Sequence, residues 1–142
     1  EFSQKGGAEG KMKRVRFIRH GCGIHNETLD FNNPRMLDAR LTPKGVKQCE
    51  ELKAVLRGQG ELQKAELVVA STLGRALETA MLVYGDEIKE KKLRCVSTEL
   101  CREELSTHQC DKRRTIMEQK LQFPLFDFSG VKNDADVLWT NN

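Results

Sequence analysis

An arginine, a histidine and a glycine, Arg19-His20-Gly21, directly follow the short apolar run of residues 15–18. The apolar run predicts a buried strand, and the glycine lets the backbone turn sharply at its end. This places a cation and an imidazole at the carboxyl edge of a strand, where open α/β sheets bind their ligands. A guanidinium fork holds phosphate oxygens, and a neutral imidazole nitrogen can attack phosphorus. The setting therefore favours phosphoryl chemistry, although an isolated histidine is more often a packing or surface residue.

Four further polar residues could reach the same edge. Asn26 could donate its amide N–H to a phosphate oxygen, or could equally close an Asx turn or cap a helix. Arg75 comes early in a helix after the second predicted strand, where the helix dipole favours an anion, although alone it would be interpreted as a solvated helix residue. Residues 98–106 follow the third predicted strand, and one of their acids, Glu99, Glu103 or Glu104, could protonate a leaving alkoxide. His25 is the weakest candidate for contact with a ligand.

Three strands and two long helices would position these residues. The strands are predicted at residues 15–18, 66–71 and 93–97. Thr42 as cap and Pro43 as first helical residue predict a helix that ends at Gly58 or Gly60. A second helix is predicted to begin within residues 71–80, and a polar one within 111–120. Residues 22–27 are predicted to be a loop, and residues 27–40 a loop with about one helical turn. This alternation of strands and helices predicts an α/β fold.

Composition narrows the class of protein. The 142 residues suffice for one domain, and we expect residues 1–12 to be a disordered leader and residues 13–142 to form the domain. No apolar run approaches the roughly 20 residues of a membrane span. A net charge of +3, with basic and acidic residues interleaved, does not favour nucleic acid. Five irregularly spaced cysteines without a CxxC pair favour free thiols in the cytoplasm over a metal site or disulfide framework.

Three motifs, in this order, resemble the histidine phosphatase superfamily, also called phosphoglycerate-mutase-like proteins. They are Arg19-His20-Gly21, residues 71–79 (Ser-Thr-Leu-Gly-Arg-Ala-Leu-Glu-Thr) and Cys101-Arg102-Glu103. Residues 41–45 resemble the segment that opens the family's first long helix. The resemblance covers residues 14–139. It implies a three-layer α/β/α fold with a mostly parallel sheet.

Three other segments are most similar to a eukaryotic branch of this family known from plants, fungi and protists. They are His25-Asn26, residues 108–114 and residues 136–139.

The resemblance also implies a phosphohistidine mechanism on a small phosphorylated substrate. His20 would attack phosphorus, Arg19 and Arg75 would clamp the phosphoryl oxygens, and Asn26 would assist. Glu103 would donate a proton to the leaving group and then activate water, with the neighbouring Glu104 as its rival. No metal or cofactor would be needed, because the arginines supply the charge that a metal would otherwise provide.

The sequence departs from the family at one point of the pocket. The family has a second histidine after a late strand, and nothing after Glu103 supplies it, since His108 lies in a different kind of segment. We therefore expect the chain to be a partial domain that lacks the C-terminal strand and helices. Two alternatives to a phosphatase stay open: a phosphate-binding or regulatory protein without catalysis, and a mutase, for which the chain lacks the long basic insertions.

Overall fold

The computed structural model describes residues 12–103 and 107–140. In chain order, the helices and strands are α1 (Ile24–Thr28), α2 (Pro43–Gly58), β1 (Leu67–Ser71), α3 (Gly74–Glu90), β2 (Arg94–Thr98) and α4 (Ile116–Gln122). Short 3-10 turns lie at Pro34–Met36, Leu62–Lys64, Glu99–Cys101 and Gln109–Asp111. The leader expected at residues 1–12 lies outside the described residues except for Met12.

A β1-α3-β2 unit forms the centre of the fold. The two strands pair in parallel, with Leu67 opposite Arg94 and Ser71 opposite Thr98. Both strands therefore end at the same edge, as the sequence predicts, and α3 begins three residues after β1. The α/β class and the parallel pairing are confirmed.

Apolar packing covers one face of this sheet. Val68, Ala70 and Cys95 are buried against residues of α3, α4 and the phenylalanine-rich loop that follows α4. On the opposite face, Leu67 and Val69 are about half exposed. A second apolar cluster lies between α2 and α3 and contains Leu41, Cys49, Leu56, Leu62 and Val83. The described residues thus form two packed layers of the expected three-layer arrangement.

The predicted helix starts are confirmed where local capping is strong. The Thr42 hydroxyl accepts a hydrogen bond from Gly45 N at 3.1 Å, and Pro43 occupies the first helical position. Thr115 and Glu118 cap each other's backbone at the start of α4. The polar helix predicted within 111–120 therefore begins only at Ile116, after the separate 3-10 turn.

The strand predicted at residues 15–18 is wrong. This segment belongs to no strand, and Val15 and Phe17 are 72% and 93% exposed. The backbone pairs with neither β1 nor β2. Arg16 of this segment and the preceding Lys13 instead bind the carboxylates of Glu61 and Glu66 through their side chains. A strand needs a partner ladder in addition to β propensity, and side-chain ion pairs do not supply one.

The loop predicted immediately after Gly21 also needs correction. Residues Ile24–Thr28 form the one-and-a-half-turn helix α1. Its start is fixed by Asn26, whose side-chain oxygen accepts a hydrogen bond from Gly23 N at 2.8 Å. A helix this short carries little periodicity, so it could not be recognised from the apolar pattern.

Candidate functional site

The backbone on either side of Gly21 is held against α2 and α3, although the preceding residues form no strand. A Cβ atom at Gly21 would lie 2.5 Å from the Gly45 carbonyl oxygen, so only glycine permits this approach to α2. Gly21 N donates to the Thr79 hydroxyl of α3 at 3.1 Å. Cys22 N donates to the Gln48 side chain of α2 at 2.9 Å. These contacts fix the position of His20 without a strand.

The His20 side chain has its two ring nitrogens in different surroundings. Nδ1 lies 2.7 Å from the Gly21 carbonyl oxygen, so it carries the proton of the neutral ring. Nε2 lies 3.2 Å from Arg75 Nε, which donates to it. Burial lowers the pKa of His20, and the nearby charge of Arg75 adds to this, although the Gly21 carbonyl opposes it. The imidazole is therefore held neutral, with its lone pair on Nε2.

Arg75 is almost fully buried, with 1% of its side chain exposed. Its Nη1 donates to the Cys110 carbonyl oxygen at 2.6 Å. Its Nη2 is shared between the carboxylates of Glu103 and Asp111, at 3.1 Å each. The guanidinium is thus oriented from several directions toward the ring of His20.

Glu103 lies at the solvent side of this group. Its Oε2 is 3.9 Å from His20 Nε2, and 57% of its side chain is exposed. The structure therefore brings three of the predicted site residues, His20, Arg75 and Glu103, into one cluster. The rival acid Glu104 lies outside the described residues.

Arg19 and Asn26 lie on a neighbouring surface. Both line a cavity of about 630 Å³ together with His20, Cys22 and residues of α2. Arg75 and Glu103 do not line this cavity, so His20 lies between the two groups. Arg19 is exposed and makes no hydrogen bond or ion pair with the described residues. Asn26 uses its oxygen to cap α1, so both roles foreseen for it, the cap and an amide donor, remain compatible with its position.

A second group of polar residues, which sequence reasoning missed, lies behind the cluster. Asp136 has a fully buried carboxylate that accepts hydrogen bonds from Arg102 at 2.7 and 2.8 Å and from Arg113 N at 2.9 Å. Arg113 also donates to Glu99 at 2.7 Å. Arg102 in turn donates to the backbone oxygen of Asp111, which binds Arg75. This arrangement fixes the segment that carries both Glu103 and Asp111.

A second buried aspartate, Asp38, fixes the start of α3. Asp38 is 0% exposed and accepts hydrogen bonds from Gly74 N at 2.7 Å and from the Gln119 side chain at 2.6 Å. Burial raises the pKa of Asp38, against the opposing effect of its backbone hydrogen bonds. The carboxylate thereby links α4 to the first residue of α3, Gly74, which directly precedes Arg75. No motif indicated Asp38, because its partners lie 36 and 81 residues away.

His25 is buried directly beside the nucleophile candidate. It is 4% exposed, and the centroids of the His20 and His25 rings are 5.9 Å apart.

Within residues 12–103 and 107–140, no group of three or more histidine, cysteine, aspartate or glutamate residues could hold a metal ion. In the same part of the chain, no helix is both long and apolar enough to cross a membrane.

This geometry suits phosphoryl transfer chemically. A neutral imidazole with a lone pair can attack phosphorus. A buried guanidinium beside it can stabilise the charge on the transferring oxygens, and an exposed carboxyl can exchange protons with solvent and the leaving group.

Comparisons with known proteins agree with this chemistry. The family model described as histidine phosphatase superfamily (branch 1) matches residues 15–115. A phosphoglycerate mutase-like protein of Arabidopsis thaliana is 31% identical, over 91% of this chain and 58% of that protein. Phosphoglycerate mutase-like protein 1 of the same plant is 32% identical, over 91% and 56%. A probable phosphoglycerate mutase of the fungus Arthroderma benhamiae is 26% identical, over 85% and 42%.

The chain thus spans a little more than half the length of its plant relatives. No solved structure matches it. The family match covers the glycine-bounded His20, the whole β1-α3-β2 unit and Glu103. With the sequence matches and the geometry of the His20 cluster in agreement, the chain belongs to the histidine phosphatase superfamily.

Proposed function

We propose that this chain carries the site of a phosphomonoester hydrolase that works through a phosphohistidine on His20. The observation that carries this proposal is the hydrogen-bond arrangement of the ring. The Gly21 carbonyl holds the proton on Nδ1, and the Nε2 lone pair points to the guanidinium of Arg75. This is the tautomer that a nucleophilic imidazole needs.

The entry of a phosphate group would rearrange the partners of Arg75. Arg75 Nη2 binds both the largely exposed Glu103 and the mostly buried Asp111, at 3.1 Å each. A phosphate oxygen can replace the exposed carboxylate of Glu103 on Nη2, and another can accept the Nε hydrogen bond of Arg75 in place of His20, which frees the Nε2 lone pair for attack. The bonds to Asp111 and to the Cys110 carbonyl oxygen keep the guanidinium in place. Glu103 then no longer lies against the guanidinium, and its position at the solvent side of the site suits it to face the leaving group. Arg19 and the Asn26 amide would add donors from the cavity side.

The proposed reaction has two balanced steps. In the first, His20 Nε2 forms a bond to phosphorus, the bond from phosphorus to the leaving oxygen breaks, and protonated Glu103 gives its proton to that oxygen. In the second, water attacks phosphorus, Glu103 accepts a proton from the water, and the N–P bond breaks. His20 is again neutral, and an alcohol and inorganic phosphate have formed.

The test uses the 142-residue chain, its His20→Ala variant and a matched His108→Ala variant at a half-exposed histidine. With p-nitrophenyl phosphate as the probe, we expect the wild type and H108A to release phosphate and to form an acid-labile phosphoenzyme. H20A should lose both, with turnover falling by about 10³-fold or more. Turnover by H20A near the wild-type rate would contradict the proposal.

Two further outcomes would also replace it. Phosphate binding by the wild type without a phosphoenzyme would favour a binding protein. Transfer of the phosphoryl group to an added alcohol in preference to water would favour a mutase.

A further inference from the structure

Asp38 combines complete burial with a strained backbone. Its φ is 49°, in the left-handed region that residues other than glycine rarely adopt. Among the non-glycine residues that the structure describes, Leu29 and Lys92 share this conformation, but both are exposed, whereas Asp38 is 0% exposed. Backbone strain persists where the surroundings over-determine it, and it is enriched at functional sites. The carboxylate therefore holds Asp38 in place against the preference of its backbone.

This carboxylate fixes the backbone that carries Arg75. Asp38 Oδ1 accepts a hydrogen bond from Gly74 N at 2.7 Å, and Gly74 directly precedes Arg75 in α3. The approach depends on the missing side chain at position 74, since a Cβ atom there would lie 3.2 and 3.3 Å from the carboxylate oxygens. The partial positive charge at the start of a helix adds to the attraction for a carboxylate. The first turn of α3 thus has a fixed position relative to Asp38.

The same carboxylate fixes the segment that supplies the acceptors of Arg75. Arg114 N donates to Asp38 Oδ2 at 3.3 Å. Earlier in this segment, the Cys110 carbonyl oxygen and the Asp111 carboxylate accept the Nη hydrogen bonds of Arg75, at 2.6 and 3.1 Å. One carboxylate is therefore bonded both to the backbone that carries the guanidinium and to the segment that orients it.

A third donor to Asp38 comes from an element outside this arrangement. Gln119 Nε2 donates to Asp38 Oδ2 at 2.6 Å and to the Thr72 carbonyl oxygen at 3.0 Å. Gln119 belongs to α4, and no described residue of α4 is a hydrogen-bond partner of Arg75. Loss of the Gln119 bond should therefore weaken the fold without moving the guanidinium.

We propose that Asp38 is a positioning residue that holds the Arg75 guanidinium and its acceptors at the spacing that brings Nε to His20. That spacing places Arg75 Nε 3.2 Å from His20 Nε2. Asp38 does not need to contact the phosphoryl group, because it acts through the backbone of the two segments. Its effect on catalysis rests on the proposed function of His20, whereas its effect on the position of Arg75 does not.

Three substitutions separate positioning from stability. Asp38→Asn keeps a side chain of the same shape that tolerates left-handed backbone, but in either orientation its NH2 group faces one of the two backbone N–H donors. Gly74→Ala leaves the carboxylate intact and pushes it back by a few tenths of an ångström. Because alanine favours a helix more than glycine does, stability alone predicts no loss in G74A. Gln119→Met is the matched control, since it removes a bond to the same carboxylate from α4.

The Nε–H signal of Arg75 in ¹H–¹⁵N NMR spectra of the 142-residue chain reports its position without turnover. The signal is identified by its absence from Arg75→Lys. We expect exchange of this N–H with solvent to accelerate by about 10-fold or more in D38N and by a smaller factor in G74A. Q119M should keep the wild-type rate. The wild-type rate in D38N, or equal acceleration in D38N and Q119M, would overturn the inference.

Turnover then shows whether this placement matters for catalysis. We expect D38N to lower kcat/KM for p-nitrophenyl phosphate by about 10²-fold, because displacement of a charge-stabilising group by about 1 Å has an effect of this size. Q119M should have the kcat of the wild type. In the R75K background, where the guanidinium fork is already gone, D38N should cost less than about 2-fold more. Equal losses in the two backgrounds would show that Asp38 does not act through Arg75.

Urea unfolding of each variant separates these results from misfolding. If D38N does not fold, G74A takes its place, and wild-type exchange and wild-type kcat/KM in G74A would overturn the inference. If the wild type forms no phosphoenzyme, the proposed function fails, and the exchange rates of D38N and Q119M still decide whether Asp38 positions Arg75.

Discussion

Two cationic regions of this molecule make similar ion pairs in opposite surroundings. At the strand ends, the side chains of Arg75, Arg102 and Arg113 are 1–3% exposed. In the N-terminal segment, the side chains of Lys13, Arg14 and Arg16 are 33–76% exposed. Every one of these six cations contacts a carboxylate, so the number of ion pairs does not distinguish the regions.

The surroundings decide what each region can do. A buried cation must keep its partners, because a buried charge without one is strongly destabilising. The strand-end arginines therefore fix geometry, and Arg75 is held with its Nε donating to His20. An exposed cation can exchange its partners for water at little cost. Arg19 belongs to the exposed region, and it is available to a ligand because no side chain in residues 12–103 or 107–140 pairs with it.

The largest effect is expected for Arg75→Met. The change removes one partner of Asp111 and the donor to His20 Nε2 together. We expect urea unfolding to show a loss of about 3–5 kcal/mol and hydrolysis of p-nitrophenyl phosphate to fall by about 10³-fold or more. The matched control is Arg57→Met in α2, whose side chain is 53% exposed beside Asp86 and should matter little. Equal stability of the two variants would contradict the distinction between the regions.

Asp136→Asn should affect stability more than chemistry. Burial alone would raise the pKa of Asp136, but the bonds from Arg102 and Arg113 N lower it overall. This group thus stabilises the fold fully above its ordinary pKa of 3.8, and the contribution is lost as pH falls through the lowered value. We expect D136N to cost about 3 kcal/mol in urea unfolding at pH 7.

The same variant should change the acid dependence of stability. D136N should show a shallower loss of stability below about pH 4, because the group that titrates there is absent. The control Asp86→Asn affects a carboxylate that is 45% exposed and pairs with Lys53 and Arg57. If D136N and D86N had the same unfolding midpoint, the buried ion pair of Asp136 would contribute no more to the free energy of unfolding than the exposed pair of Asp86.

Local signals explain which parts of the fold could be predicted. The apolar run before Ser71 and the Thr42-Pro43 helix start are complete within a few residues, and both elements formed as expected. The strand predicted at residues 15–18 failed because strand formation depends on a partner elsewhere in the chain. The apolar residues there, Val15 and Phe17, are instead exposed to solvent.

The residues of the site also fall into those that the sequence could indicate and those that depend on distant partners. His20 and Arg75 could be proposed from their positions after apolar runs, and Glu103 was indicated by the resemblance to the family; the three do lie close together. Asp136 could not be foreseen, because its bond to Arg102 joins positions 34 residues apart. Nothing local distinguishes an acid that will be buried from the many that stay in water.

Arg19→Ala should reduce activity without affecting stability. Because Arg19 is exposed and binds no described residue, unfolding should change by less than about 0.5 kcal/mol. Loss of one donor to the phosphoryl oxygens should lower kcat/KM by about 10²-fold. Its charge also helps lower the pKa of His20, so the acid limb of the pH profile should move upward. Arg14→Ala, in the same segment, should leave all three quantities unchanged.

The smallest effect is expected for Glu61→Gln, which tests the exposed region directly. Glu61 accepts hydrogen bonds from Arg14 and Arg16, and together with Lys64 these cations lower its pKa to about 2. Three cations on one carboxylate would be a strong anchor in a protein interior. Although the Glu61 side chain is only 13% exposed, the three cations are 33–76% exposed, so water and salt screen each pair.

We therefore expect E61Q to unfold at the wild-type urea concentration in 0.15 M salt and to keep full hydrolysis of p-nitrophenyl phosphate. A loss of activity at unchanged stability would mean that the ion pairs of residues 14 and 16 help to place His20. That result would mean that the exposed N-terminal cations and the buried strand-end arginines both contribute to the activity. Full activity would instead show that the contacts of Gly21 and Cys22 with α2 and α3 are sufficient to hold His20 in place.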